Sequence, residues 1–134
     1  MLEDFETGNF TSFDWSHSGD AEWTIDADDA SSGIFSARSG EIDHDQASEL
    51  SILMNVLYEG EILFWAKSSS EQGNSGTVYD FLDFYIDDQS QELAIGGDID
   101  WTEYSVFLPA GEHLLRWVYE KDDAQSEGDD CAWI

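Results

Sequence analysis

The alternation of side chains near the C-terminal end constrains this chain more than any other feature. Leu115, Trp117 and Tyr119 occupy every second position of one stretch. A period of two is typical of a β-strand that buries one face in a core. After an acidic loop at 122–130, residues 132–134 begin another apolar strand. Because that strand is only begun, we expect the chain to be a piece of a longer protein.

Short alternating stretches recur along the whole chain, and no helical periodicity lasts longer than a turn or two. Roughly ten strands separated by turn residues are typical of an antiparallel sandwich. Pro109-Ala110-Gly111 predicts a tight hairpin, since proline sets φ and glycine permits positive φ. That hairpin would pair Trp101–Leu108 with Glu112–Lys121, and residues Leu2–Glu6 would form the first strand. No change of composition divides the chain, so one domain is expected over residues 1–134.

The charge balance excludes two classes of partner. The chain has 31 acidic and 4 basic residues, a formal net charge of -27. Such a surface repels nucleic-acid phosphates and anionic lipids, so neither is expected to bind. No apolar run approaches the roughly 20 residues that span a membrane. The acids favour either solubility in a salty medium or the binding of hard cations. Cys131 is the single cysteine, which excludes an internal disulfide, and we expect it to be buried.

Several segments carry a family resemblance. They are Glu3–Gly8, Trp23–Asp28, Asp80–Asp87, Leu108–Asp122 and Gly128–Ile134. Together they resemble jelly-roll modules of large secreted bacterial proteins, similar to MAM domains and to the cleaved-adhesin domains of bacterial surface proteases. The resemblance implies an all-β, antiparallel jelly-roll β-sandwich of the concanavalin and MAM type. It also implies a secreted or cell-surface location, neighbouring domains in a larger chain, and a non-catalytic role in binding or adhesion.

A glycan is the first candidate ligand. Sandwich modules hold sugars by stacking exposed aromatic rings on them, while carboxylates or arginine bond the hydroxyl groups. Asp83, Tyr85 and Arg116 are predicted to share the sheet face opposite the core, where they would bind the ligand. Of six tryptophans, Trp117 and Trp133 are predicted to be the surest core members, on adjoining strands. The alternatives are a solvated polar face and a purely structural spacer module.

Calcium is the expected cofactor. It takes six to eight oxygen ligands, usually supplied by loops. We expect the first and last strands to run antiparallel side by side, which would bring Glu6 near Asp130. Related modules commonly carry structural calcium near their termini, and the resemblance therefore favours a site here. The alternative is that these acids are simply hydrated. The candidate ligands are Glu3, Glu6, Asp26, Asp28, Asp129 and Asp130.

An enzyme is the weakest alternative. Jelly-roll glycoside hydrolases use two carboxylates on one strand face, and Asp83 and Asp87 are predicted to share a face. The sequence contains no order of Ser, His and Asp typical of a triad, no phosphate-cradling glycine loop and no paired histidine spacing for a metal. The three histidines are scattered. We therefore expect the chain not to be an enzyme.

Overall fold

A computed structural model describes residues 2–70, 79–122 and 130–134. These residues form eleven strands and no helix, and hence no helix long and apolar enough to cross a membrane. The strands are β1 (Ser16–Gly19), β2 (Thr24–Asp26), β3 (Ser36–Arg38), β4 (Ala47–Val56), β5 (Gly60–Ser69), β6 (Phe81–Ile86), β7 (Gln89–Ser90), β8 (Ile95–Gly96), β9 (Asp98–Leu108), β10 (Gly111–Glu120) and β11 (Cys131–Trp133).

The strands form two antiparallel sheets. Sheet I has the order β1-β4-β10-β6-β7, with β8 also paired to β6. Sheet II has the order β2-β3-β11-β5-β9. Every pairing between described strands is antiparallel. The all-β jelly-roll sandwich predicted from the sequence is confirmed.

The core lies between the two sheets, where the period-two pattern places it. On β10, Leu115, Trp117 and Tyr119 are buried and face sheet II. Trp117 pairs with Leu50 of β4 and with Phe84 of β6, and all three side chains point inward. Sheet II supplies the opposite wall of the core with Ala37, Phe64, Ala66, Val106, Leu108 and Ala132.

The connection at Pro109 corrects the predicted hairpin. β9 ends at Leu108 in sheet II, whereas β10 begins at Gly111 in sheet I. β9 pairs with β5, and β10 pairs with β4 and β6. The short turn therefore carries the chain from one sheet to the other. Gly111 has a φ of 119°, which agrees with the predicted use of a glycine there.

The expected first strand, Leu2–Glu6, is not a strand. The Glu3 carboxylate accepts the N–H of Phe5 at 2.9 Å, and the Phe5 carbonyl accepts the N–H of Gly8 at 2.8 Å. Phe5 has a φ of 57°, which is left-handed backbone and incompatible with a strand. These local bonds fold the segment into turns, and the first strand begins at Ser16.

Trp117 and Trp133 are both buried as predicted, yet they do not lie on adjoining strands. Trp117 belongs to β10 in sheet I, and Trp133 belongs to β11 in sheet II. Trp133 opposes Lys67 and Arg38, whereas its neighbour Ala132 packs into the core. Trp133 is therefore buried on the outer side of its sheet.

Candidate functional site

A row of exposed apolar side chains lies on the outer face of sheet II. Leu63 and Trp65 alternate with the inward residues of β5 and are 57% and 47% exposed. Phe107 of β9 is 58% exposed on the same face. Trp65 pairs directly with Glu103, which sets a carboxylate beside the indole ring. We call Leu63, Trp65, Phe107 and Glu103 the Trp65 surface.

The sequence did not reveal this surface. Both faces of the stretch Glu61–Lys67 carry large apolar residues, which predicts a central strand covered on both sides. Only the inward face is covered, because no described element packs over the outer side of β5 at Leu63 and Trp65. Alternation shows which residues share a face, but the cover on each face depends on the whole topology.

A fixed polar cluster borders the Trp65 surface at Lys67, two residues along β5. The Lys67 ammonium donates to the carboxylate of Asp29, and the Trp101 indole N–H donates to the same carboxylate at 2.9 Å. Burial by itself would raise the pKa of Asp29, but these two hydrogen bonds outweigh it and hold that pKa below its usual value. The carboxylate therefore stays ionised and holds both partners in place.

Trp133 of β11, the cross-strand partner of Lys67, packs against the same cluster. Its indole N–H donates to the Asp26 carboxylate at 2.7 Å. The Lys67 ammonium lies 5.3 Å from the centre of its ring, and the Arg38 guanidinium lies 5.6 Å away. Both distances are within the range of cation–π attraction. Two of the four basic residues of the chain are thus gathered beside the Trp65 surface.

The outer face of sheet I brings together two of the residues predicted to bind a ligand. Tyr85 and Arg116 are cross-strand partners, and the guanidinium carbon lies 4.7 Å from the centre of the tyrosine ring. Arg116 also pairs with Glu49 at 2.8 Å and with Asp88 at 3.0 Å. Burial first, and then the Glu120 carboxylate, raise the pKa of Tyr85. Arg116 therefore covers one face of the Tyr85 ring, and two of its guanidinium nitrogens are paired with Glu49 and Asp88.

Asp83, the third predicted ligand-binding residue, lies on this face of β6 but is only 5% exposed. One carboxylate oxygen accepts the N–H groups of Phe84 at 2.8 Å and Leu93 at 3.0 Å. The other oxygen accepts the hydroxyl of Ser90. Asp83 thus fixes the turns that follow β6, and a ligand role for these three residues stays a prediction.

Two of the predicted calcium ligands lie at opposite ends of β11. Glu6 accepts the N–H groups of Ile34 and Phe35, just before β3. Ile134 exchanges two 2.9 Å backbone bonds with Ala37 of β3, so Glu6 lies near the Ile134 end of β11. Asp130 precedes the opposite end, about 13 Å away at the 3.3 Å rise of a strand. The expectation that Glu6 meets Asp130 is therefore wrong, because Leu2–Glu6 does not pair with β11.

The other candidate calcium ligands are also divided among different contacts. Glu3 accepts the indole N–H of Trp15 at 2.9 Å, and Asp26 accepts the backbone N–H of Asp28 at 2.8 Å. Asp130 accepts the Tyr119 hydroxyl at 3.1 Å and the Lys121 ammonium. Asp129 lies outside the described residues. Within residues 2–70, 79–122 and 130–134, no three His, Cys, Asp or Glu side chains are grouped to hold a metal ion.

The carboxylate pair considered for glycoside hydrolysis is not arranged for it. Asp83 and Asp87 are four residues apart, which separates their backbones by about 13 Å along an extended strand. Glycosidase carboxylates lie roughly 5–9.5 Å apart. Both side chains are also used by the fold, since Asp87 contacts His113 and accepts the N–H of Leu114. This geometry does not support hydrolysis.

Comparison with known proteins places the fold. No protein-family model matches the chain, and no curated protein matches it. Among solved structures, TmCBM61 in complex with β-1,4-galactotriose has 20% identity and a TM-score of 0.64, covering 98% of this chain and 93% of that one. The K3 cleaved-adhesin domain of Lys-gingipain from Porphyromonas gingivalis has 17% identity and a TM-score of 0.57, covering 98% and 94%.

A third similar structure belongs to a longer protein. The secreted serine protease VesC from Vibrio cholerae has 17% identity and a TM-score of 0.62. The match covers 87% of this chain but 22% of VesC. At such identities the likeness shows the fold alone. It confirms that this chain has the jelly-roll architecture of a cleaved-adhesin domain, as the sequence resemblance predicted.

Proposed function

We propose that this chain is a non-catalytic glycan-binding module of a secreted or cell-surface bacterial protein. The observation that carries the proposal is the exposed indole of Trp65 on the outer face of sheet II, between Leu63 and the fixed Lys67. An apolar platform with charged groups at its margin is what a sugar requires, because a sugar has apolar ring faces and polar edges. The Trp65 surface offers both kinds of contact.

The proposed contacts follow from the geometry of the surface. One face of a sugar ring stacks on the Trp65 indole, an aromatic interaction that contributes about 0.5–1.5 kcal/mol beyond area burial. Glu103, opposite Trp65 on β9, accepts hydroxyl protons, and Lys67 donates to hydroxyl oxygens. A neighbouring sugar unit of the same chain covers Leu63 and Phe107. The extended row favours an oligosaccharide over a single sugar.

The comparisons support the ligand class and the location. TmCBM61 has this fold and was solved with an oligosaccharide, β-1,4-galactotriose. VesC is secreted and carries this fold in about a fifth of its length, which supports a module joined to neighbouring domains.

The test is a glycan array followed by calorimetry on the best ligand, with β-1,4-linked galactan included. We expect Trp65→Ala to weaken binding at least tenfold, equivalent to about 1.4 kcal/mol. Tyr58→Ala is the matched control, because Tyr58 is an exposed aromatic residue in the β4–β5 connection and does not belong to the Trp65 surface. Unchanged binding in Trp65→Ala, with a loss in Tyr85→Ala, would move the site to the predicted Asp83, Tyr85 and Arg116.

A structural spacer is the second candidate function. Leu63 and Phe107 are large apolar side chains that a neighbouring domain would cover equally well. This alternative predicts no binding to any glycan on the array. It also predicts that Leu63→Ser and Phe107→Ser leave the isolated module folded and change only its association with an adjacent domain.

Structural calcium remains a proposal alongside this function. Its support is the resemblance to related modules and the number of carboxylates near the chain ends. Melting curves in calcium and in EDTA at equal ionic strength test it, since a cation bound only to the folded state raises the melting temperature. Equal midpoints would remove calcium from the account.

A further inference from the structure

The two ends of the Trp65 surface differ. β5 runs beneath the surface from Gly60 to Ser69, and its outward side chains pass from Glu61 through Leu63 and Trp65 to Lys67. At the Gly60 end, Glu61 and its cross-strand partner Phe107 are both exposed. The surface is therefore open to solvent in that direction.

At the other end, a series of contacts through Asp29 crosses the sheet. The Asp29 carbonyl accepts the hydroxyl of Ser36 on β3 at 2.6 Å. The Asp29 carboxylate accepts the Lys67 ammonium from β5 and, at 2.9 Å, the Trp101 indole N–H from β9. In sheet II, β11 and β5 lie between β3 and β9, so these contacts pass over both strands. We call Ser36, Asp29, Lys67 and Trp101 the Asp29 bridge.

The Asp29 bridge lies on the same face of sheet II as Trp65. Lys67 follows Ala66, which packs in the core, so the Lys67 side chain points outward as the Trp65 side chain does. Asp29 belongs to the connection between β2 and β3, and its contacts hold that connection over the outer face. Because the bonds to Lys67 and Trp101 keep the pKa of Asp29 low, the bridge stays charged and intact near neutral pH.

A sugar stacked on Trp65 therefore meets an obstacle on one side only. Lys67 is two residues past Trp65, about 7 Å along a strand. A further sugar unit in that direction would occupy the space of the Asp29 bridge and would have to break its charge-assisted hydrogen bonds, which are stronger than neutral ones. In the opposite direction, further units lie over Leu63 and Phe107 and leave the surface at Glu61.

We propose that the Trp65 surface binds the end of a glycan chain and not an internal stretch. This inference rests on the proposed glycan-binding function and specifies the part of the glycan that is bound. The terminal sugar stacks on Trp65, and the rest of the chain extends toward Phe107. A terminal unit also has one hydroxyl group that an internal unit loses to its linkage. That hydroxyl faces the bridge, where the Lys67 ammonium donates and the Asp29 carboxylate accepts hydrogen bonds.

The first test counts binding sites on a polymer. The probe is β-1,4-linked galactan, intact and after partial hydrolysis to chains about tenfold shorter. If another glycan gives the strongest signal on the array, its polymer is treated in the same way. Hydrolysis multiplies the chain ends but leaves the mass of internal units almost unchanged. Calorimetry then gives the number of sites per gram of each preparation.

We expect the number of sites per gram to rise about tenfold, in proportion to the number of ends. An unchanged number would overturn the proposal, because it would show that internal stretches bind and leave the surface over the edge strand β9. This test needs no variant and so does not depend on the stability of any substitution.

The second test opens the closed end. Asp29→Ala removes the bonds to Lys67 and Trp101, and Asp28→Ala is the matched control, since Asp28 is an exposed acid in the same connection. We expect Asp29→Ala to admit internal stretches and to increase the sites per gram of intact galactan at least threefold, with no increase for Asp28→Ala. An unchanged number in a folded Asp29→Ala protein would overturn the role of the bridge.

Trp65→Ala separates failure of this inference from failure of the proposed function. If the original chain binds intact and shortened galactan with equal capacity and Trp65→Ala abolishes both, the glycan site stands and the chain-end proposal falls. If no glycan binds to the original chain, or if Trp65→Ala changes nothing, the proposed site falls and the chain-end proposal falls with it.

Discussion

The Nδ1 atom of His113, near the start of β10, lies 2.5 Å from a carboxylate oxygen of Asp87, just past the end of β6. The other oxygen of Asp87 accepts the backbone N–H of Leu114 at 2.9 Å. Asp87 has a φ of 51°, so the chain turns there and aims its carboxylate at β10. The pair ties the end of β6 to the start of its neighbour.

The His113–Asp87 pair should make stability depend on pH. The bond to Asp87 raises the pKa of His113, and the bonds from His113 and Leu114 lower the pKa of Asp87. The histidine contribution is present below about pH 6.5 and is lost as pH rises through the raised value. The aspartate contribution is present above about pH 4 and is lost as pH falls through the lowered value.

We therefore expect His113→Gln to destabilise the chain most between about pH 4 and 6.5, and progressively less above that range. Urea unfolding at pH 5.5 and pH 8.5 measures the difference. His44→Gln is the control, since His44 is exposed in a loop. An equal loss at both pH values would show that His113 acts through packing and not through its charge.

Trp117→Ala should remove much of the stability of the domain. Trp117 is 4% exposed, and its ring centre lies 4.8 Å from that of Phe84, 5.6 Å from Phe64 and 5.7 Å from Trp15. Truncation of a buried tryptophan costs about 3–5 kcal/mol, a large part of the roughly 5–15 kcal/mol of a typical domain. Denaturant unfolding measures it, with Tyr58→Ala as a control that should stay within about 0.5 kcal/mol.

Side-chain faces were predictable from the sequence, because alternation is a local property of a strand. Leu115, Trp117 and Tyr119 are buried as predicted, and Tyr85 and Arg116 lie together on the outer face. The membership of each strand in a sheet was not predictable, because it depends on pairing between distant residues. A proline-containing turn of the same length can close a hairpin or, as at Pro109, cross between sheets.

The candidate site was harder to predict than the fold. The calcium hypothesis depended on the order of the first and last strands, and the bonds of Glu3 and Glu6 to nearby N–H groups replaced that pairing. The exposure of Trp65 follows from the absence of cover by any described element, which no local pattern encodes. The sequence identifies residues that share a strand face. It does not identify residues whose exposure depends on whether another element packs over that face.

Salt should stabilise the fold. At a net charge of -27, the folded chain repels itself, and dissolved ions screen that repulsion. We expect the melting temperature at pH 7 to rise between low salt and about 1 M sodium chloride, where the Debye length is about 3 Å. The same series near pH 4, where many carboxylates are protonated, is the control and should show a smaller rise. A flat response at pH 7 would mean that the charges are already neutralised, for example by bound cations, or that they are too dispersed to matter.

Asp80 is a buried carboxylate whose charge should destabilise the fold. The side chain is fully buried just before β6, and one oxygen accepts the N–H of Asp122 at 3.0 Å. The other oxygen has no hydrogen-bond partner among the described residues. Burial raises the pKa of Asp80, and the nearby Asp130 carboxylate adds to the rise against the attraction of Lys121.

A raised carboxyl pKa means that the folded state prefers the protonated acid, so stability falls as pH rises above about 4. Asp80→Asn keeps an acceptor for Asp122 and removes the charge. We expect it to raise the melting temperature at pH 7 and to have little effect near pH 3.5, where the acid is already protonated. Asp98→Asn, at an exposed position, is the control for a change in net charge alone. A lower melting temperature for Asp80→Asn at pH 7 would show that the attraction to Lys121 outweighs the cost of burying the carboxylate.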